Sequence, residues 1–366
     1  MSRQNCGRGV GMSDTPRVIV NKLKMNSNIL LMQCAADNKN IMLRPHIKAH
    51  KCPDIMKKQL AAGACGITVA KIGEAEIMVQ AGCDNIFIAN QIVSLEKMAK
   101  LIQLRKKARL ILAVDNLENA QLLGEVVGAE TPLEVRIEID TGLKRCGISP
   151  EQVVPFATEL IKIPGLLFEG LFTHAGHAYG ASPAKMAEVG RNEAQIMVEC
   201  AGALRNRGIR CNSVSTGSTP TAMYNLDVPG VTEIRPGNYV FYDAMQVALG
   251  TVPFSRCALS VIATVISNPV PGRVIIDAGS KVFALDKGAH GLSTMDGYGY
   301  IVGWPNMVLA RLSEEHGIIE ASDKKTPQIG AEVEIIPNHA CVVVNLTDVL
   351  WVDGEAWPVE ARGLVT

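Results

Sequence analysis

The chain has 366 residues, 48% of them apolar and 20% charged, with 36 basic side chains against 36 acidic ones. That balance carries no polyanion footprint, so no nucleic-acid partner is expected. No apolar run reaches the roughly eighteen residues of a spanning helix, so no membrane partner is expected either.

The length suits two domains, or one large barrel with an addition. The start, Met1 to Asp14, is polar and Gly-rich, without the apolar centre of a signal peptide, and Met12 is an alternative start. Ten cysteines lie scattered without CxxC pairs, which reads as reduced thiols in a cytoplasmic protein.

From residue 41 to 243 one pattern recurs: a short β-rich run, a polar residue, then a helical stretch. The runs span 41–49, 66–71, 85–90, 110–115, 133–140, 167–175, 212–217 and 233–243. Helices are expected from Pro53, a good first-turn residue, and near 72–82, 93–107, 117–127, 151–162 and 183–208. Eight β/α units in succession predict a (β/α)8 TIM-like barrel, with an open doubly wound sheet as the competing architecture. In a barrel the C-terminal strand ends open on one face, and here they carry Lys48, Lys71, Asn90, Asp115, Asp140, His174, Thr216 and Arg235. Helix caps would explain some of these residues, but not the cations.

The first run continues into Arg44-Pro45-His46-Ile47-Lys48-Ala49-His50-Lys51. As a strand, it places Arg44, His46, Lys48 and His50 on one face. A lysine among such neighbours has its ammonium disfavoured, which is the chemistry of a Schiff-base lysine; a solvated basic edge is the plain alternative.

Further along, Asp140-Thr141-Gly142 turns and presents Arg145, whose guanidinium suits a carboxylate, phosphate or phenolate oxygen. Thr173-His174-Ala175-Gly176-His177-Ala178-Tyr179 offers His174, His177 and Tyr179 as acid/base groups or a stacking surface. Ser215-Thr216-Gly217-Ser218-Thr219-Pro220-Thr221 enters a short helix, so Thr216, Gly217, Ser218 and Thr219 fit a phosphate cradle, without P-loop spacing. Glu233-Ile234-Arg235-Pro236-Gly237-Asn238 adds Gly237 and Asn238 amides to that cradle and aims Arg235 at a ring nitrogen.

Beyond residue 250 the pattern becomes all-β, with strands at 259–267, 273–279, 306–312, 332–337, 342–346 and 350–352. The expected domains are residues 1–22, pairing with the β domain, then the barrel over 23–250 and the β domain over 251–366. In Asn338-His339-Ala340-Cys341, residues i and i+2 of a strand share a face, so His339 and Cys341 can ligate one metal. Two protein ligands plus water make an open, catalytic-type zinc site.

Together these motifs resemble the fold-type III pyridoxal-phosphate (PLP) enzymes, alanine racemase-like barrels with a C-terminal β domain. The resemblance runs from Asp14-Thr15-Pro16 to Ala361-Arg362-Gly363. It implies a PLP cofactor held on Lys48, with Arg145 near its phenolic oxygen. It also implies His174 and Tyr179 beside the ring and substrate, Ser218, Thr219, Gly237 and Asn238 at the phosphate, and Arg235 at the pyridine nitrogen.

Within the group, D-threonine aldolases show a His-x-Asp metal pair and a Gly-Gly-Gly-Thr-Gly-Ser loop. Here His339-Ala340-Cys341 and Ser-Thr-Gly-Ser-Thr-Pro-Thr look more like the zinc-dependent D-serine and 3-hydroxyaspartate dehydratases. The resemblance therefore implies a lyase that eliminates water from a D-3-hydroxy amino acid, giving a 2-oxo acid and ammonia. The alternative is retro-aldol cleavage to glycine and an aldehyde, with His174 or His177 as base and Mn2+ or Mg2+ able to replace Zn2+. A racemase needs a second base that the motifs do not supply, and non-catalytic PLP carriers lack a β domain. Sites of this kind usually lie near a subunit interface, so a homodimer is expected.

Overall fold

A computed structural model describes residues 14–288 and 295–366. The polar start up to Ser13, with Met12, lies outside the described residues. The barrel strands are β2 (Met42–Leu43), β3 (Ile67–Val69), β4 (Asn85–Ile88), β5 (Arg109–Val114), β6 (Leu133–Glu138), β7 (Leu166–Phe172), β8 (Ser213–Thr216) and β9 (Glu233–Ile234). They follow β1 (Arg17–Val20), which belongs to another sheet. All eight pair in parallel in the order β2-β9-β8-β7-β6-β5-β4-β3. A parallel bridge from His46 to Thr68 joins the two ends, so the sheet closes into a barrel.

The helices in chain order are α1 (Lys22–Asp37), α2 (Pro53–Ala61), α3 (Ile72–Gln80), α4 (Leu95–Leu104), α5 (Leu117–Val127), α6 (Val153–Leu160), α7 (Met186–Asn206), α8 (Ala222–Asn225) and α9 (Ala244–Ala248), then α10 (Ser280–Phe283) and α11 (Ala340–Leu346). Local chemistry sets several starts. Pro53 opens α2, and the Asn116 side chain accepts from Asn119 N at the start of α5. Glu74 reaches back to the amides of Ala70 and Lys71 at the start of α3. Helix α1 has no counterpart among the sequence-derived helices. No described helix is long and apolar enough to cross a membrane.

An outer core of Ile, Leu, Val and Met side chains packs the helices onto the barrel. The barrel interior instead mixes Phe87, Ile111, Ala113 and Phe172 with a charged group. There Glu233 accepts from Arg44 Nε at 2.7 Å, from Arg136 and from Ser215 Oγ at 2.5 Å. Burial alone would raise the Glu233 carboxyl, but Arg136 and Arg44 hold it well below the usual carboxylate range.

The second sheet holds β1 with β10 (Leu259–Val270), β11 (Arg273–Ile276), β12 (Gly299–Ile301), β13 (Met307–Leu312), β14 (Gly317–Ala321), β15 (Glu332–Pro337), β16 (Val349–Val352) and β17 (Glu355–Pro358). It is antiparallel except where β1 runs beside β16. Its strands pack one core with residues of α1, α2 and α11.

Two expectations are corrected. Residues 41–49 do not form one strand: β2 ends at Leu43, Arg44 to His46 are extended, and Ile47–Ala49 is a 3-10 turn. Arg44, His46, Lys48 and His50 therefore do not share a face. Arg44 turns to Glu233, while His50 bonds Gln59 Oε1 at 3.1 Å and accepts from Cys52 N at 3.2 Å. Nor is 342–346 a strand. It lies within α11, a helix despite three consecutive valines, because Val343 and Val344 bury into the β-domain core.

Candidate active site

The C-terminal ends of the barrel strands and the N-terminal part of α11 surround one cavity of about 640 Å³. Of the residues singled out in the sequence, Lys48, Arg145, His174, Tyr179, Gly217, Ser218, Thr219, Arg235, Gly237, Asn238, His339 and Cys341 line it. Asn90 lines it too, whereas His177, Thr216, Lys71, Asp115 and Asp140 do not. The His177 ring lies against Gly142, where a Cβ would meet it at 3.1 Å. Thr216 is buried at the end of β8 with its Oγ1 unpartnered among the described residues.

Lys48 enters from the 3-10 turn, in which His46 Nδ1 accepts the Lys48 amide at 3.4 Å. Burial lowers the Lys48 ammonium from its ordinary range; Cys341 opposes this and Arg145 adds to it. His46 is held well below its usual value, first by burial and then by Lys48 and Arg235, so its ring is neutral. Lys51, next to the turn, is buried against Glu74 Oε1 at 3.2 Å.

Arg235 follows β9 and lies over the edge-to-face pair Phe87 and Phe172, 5.6 and 5.3 Å from the ring centres. It donates to Ser215 Oγ at 2.5 Å and to the Thr173 carbonyl. Burial pulls it down to about 10, so it stays a guanidinium at neutral pH. Arg145, half-exposed, lies 4.0 Å from Glu138, whose other oxygen accepts from Gln91 at 2.5 Å.

The cradle is built differently from the sequence reading in two respects, the first being that Ser218 N donates to Thr221 Oγ1 at 2.9 Å. Gly217 N donates inward to Glu193 Oε1 at 3.1 Å, and Ala175 N donates to the same oxygen at 3.2 Å. Glu193, in the middle of α7, thus ties the His174 loop to the Gly217 loop. Nothing in its sequence context marks it. The amides of Thr219, Gly237 and Asn238 have no acceptor among the described residues. A Cβ on Gly237 would sit 2.8 Å from the His46 carbonyl, so only glycine brings that backbone to the cavity wall. Free amides, a bare glycine, two arginines and a desolvated amine fit a phosphate-bearing aldehyde such as PLP.

His339 is the residue before α11 and Cys341 lies in its first turn, so they meet at a helix start and not along a strand. Both side chains line the cavity. His339 Nδ1 lies 3.1 Å from Asp286 Oδ2, and Cys341 Sγ accepts from Asn238 Nδ2 at 3.6 Å. Asp243 Oδ2 accepts from Asn238 Nδ2 at 2.6 Å and from Ala340 N at 2.9 Å. An imidazole and a thiol side by side, with the imidazole backed by a carboxylate, fit a zinc ion with open positions. The one described cluster of three candidate ligands is a different one, Asp115, Glu138 and Cys146. Its Asp115 and Glu138 already accept from Gly147 N and Gln91. Every described cysteine is free.

The family model of the alanine racemase N-terminal domain matches residues 20–244, more than half of the chain. The chain belongs to that family. A second model, the putative serine dehydratase domain, matches residues 258–352 of this family member. It is 35% identical to a D-threonine aldolase of Arthrobacter sp, over 96% of this chain and 93% of that one. It is 34% identical to the D-threo-3-hydroxyaspartate dehydratase of Delftia sp. (strain HT23), over 90% and 91%. A D-threo-3-hydroxyaspartate dehydratase solved as a cysteine-to-alanine mutant in the metal-free form superposes with a TM-score of 0.87 at 33% identity, covering 95% of this chain and 97% of that one. Such relatives are lyases, acting by elimination or by aldol cleavage.

Proposed function

We propose that this protein is a PLP- and zinc-dependent lyase that dehydrates a D-3-hydroxy amino acid, such as D-serine, to a 2-oxo acid and ammonia. The observation that carries the reading is a single cavity lined together by Lys48, the cradle residues Thr219, Gly237 and Asn238, and the His339/Cys341 pair.

In this reading Lys48 anchors the cofactor, and Ser218, Thr219, Gly237 and Asn238 hold its phosphate. Arg235 sits at the ring nitrogen, Arg145 at the phenolic oxygen, and His174 and Tyr179 beside the ring. PLP supplies electron withdrawal that acidifies the Cα–H of the amino acid it holds. The chain's task is then to move protons. Lys48, desolvated and held near Arg145, takes the Cα proton as a free amine. His339 and Cys341 would hold Zn2+, which would supply Lewis acidity toward the β-hydroxyl. Cα–H and Cβ–O break, water leaves, and hydrolysis of the released product gives the 2-oxo acid and ammonia. Tyr179, whose hydroxyl accepts from Gln246 Nε2 at 3.4 Å, is held protonated by burial and serves as a donor, not a base.

Aldol cleavage is the second reading, because the D-threonine aldolase relative is as similar as the dehydratase. There His174, which lines the cavity as His177 does not, takes the hydroxyl proton and Cα–Cβ breaks, with Mn2+ or Mg2+ able to serve. The reading further includes a cytoplasmic homodimer acting on a small D-amino acid. Incubation with D-serine, D-threonine and D-3-hydroxyaspartate separates the two reactions. Ammonia with 2-oxo acid and no glycine supports dehydration, whereas glycine with an aldehyde supports cleavage.

A further inference from the structure

Asn345 also lines the cavity, and neither the cradle nor the His339/Cys341 pair uses it. It lies in α11 four residues after Cys341, so helical geometry puts the two side chains on one face, a turn apart. Helix α11 packs against the 3-10 turn that carries Lys48. Cys341, Asn345 and Lys48 thus line the same cavity. The Asn345 side-chain carbonyl oxygen is almost fully buried and accepts no hydrogen bond from any described residue. A buried amide oxygen without a donor is costly, and is tolerated where a ligand brings the donor.

We propose that Asn345 is a substrate-positioning residue whose Oδ1 accepts a hydrogen bond from the β-hydroxyl of the amino acid, holding it beside His339 and Cys341. The inference rests on the lyase reading and deepens it. The leaving group, and not the α-carboxylate or the ring, is what the Asn345 end of α11 recognises. D-amino acids lacking a β-hydroxyl leave this oxygen unpaired.

The test uses the PLP- and zinc-loaded enzyme and compares two rates. One is kcat/KM for D-serine; the other is Cα–H exchange of D-alanine in D2O, which needs the lysine but no hydroxyl. The ratio of the first rate to the second falls about tenfold in Asn345→Ala, the scale of one lost hydrogen bond. In Asn345→Asp, which keeps an acceptor, the ratio returns to within about threefold of wild type. A ratio unchanged in Asn345→Ala overturns the assignment, whether both rates fall together, as a folding defect would make them, or neither moves. Equal loss in the two variants overturns it too.

Titration with D-lactate and D-glycerate, unreactive acids differing only in the β-hydroxyl, reads the same contact without turnover. Preference for D-glycerate in the wild type and none in Asn345→Ala is expected, and equal binding by the wild type contradicts the contact. Absence of both exchange and turnover in the wild type overturns the lyase reading and this inference with it, an outcome distinct from loss of the ratio alone.

Discussion

Arg44 Nε donates to Glu233 Oε2 over 2.7 Å between side chains 2% and 0% exposed. The first cation of the basic segment is thus neutralised inside the barrel, and neither residue lines the cavity. Arg136 shares the same carboxylate. Glu233→Gln leaves the buried Arg44 guanidinium without a counter-charge, while Arg136 keeps Glu169 at 2.5 Å, and is expected to cost about 3–5 kcal/mol of stability. Denaturant unfolding checks this, and a loss below about 1 kcal/mol, the scale of a surface pair, would contradict it.

Lys48 must be unprotonated to take a proton, and its ammonium is disfavoured relative to the ordinary 10.5. Activity therefore rises with pH through a limb that lies below 10.5. Arg145 is one of the cations that disfavours the ammonium, so Arg145→Met moves the limb to higher pH as well as weakening cofactor binding. A kcat profile for both proteins, which reads the groups of the substrate complex in which the amine is free, decides the sign.

Removal of metal by a chelator is expected to abolish turnover, with recovery on adding Zn2+. The 3.1 Å contact between Asp286 and His339 Nδ1 fixes the ring that would bind the ion. Asp286→Asn is expected to weaken zinc affinity by roughly 10–100-fold. Competition with a chromophoric chelator measures it, and full activity in metal-stripped protein would contradict the role of His339 and Cys341.

His50 is buried and neutral, its pKa lowered to about 4 chiefly by burial, against 6.5 when unfolded. A lowered histidine favours the fold above its unfolded value. Its contribution is lost as pH falls from about 6.5 to about 4, where the unfolded chain takes the proton first. The shift corresponds to about 3 kcal/mol across that window. Stability of the wild type and His50→Gln measured from pH 7 to 4 is expected to converge toward the acid end.

Much of the barrel was legible because each parallel strand is a short apolar run ending on a polar side chain. All eight such runs from Met42 to Ile234 contain one barrel strand. Alternation misled at Arg44–Lys51, where Pro45 and a 3-10 turn interrupt the strand and Lys51 takes a φ of 50°. It misled again at Cys341–Asn345, where tertiary burial made a helix from a valine run. That second error hid Asn345, since its four-residue spacing from Cys341 matters only on a helix. Glu193 and Asp286 were not legible at all. Each reaches its partner across the fold, Glu193 to Gly217 and Asp286 to His339, and no local pattern records such contacts.

The central claim is that Lys48 carries the cofactor, and one measurement reaches it directly. Holoprotein is reduced with borohydride, digested, and the pyridoxyl label located by mass spectrometry. The label is expected on Lys48, with visible cofactor absorbance lost in Lys48→Ala. A label on another lysine, or unchanged absorbance in Lys48→Ala, would contradict it.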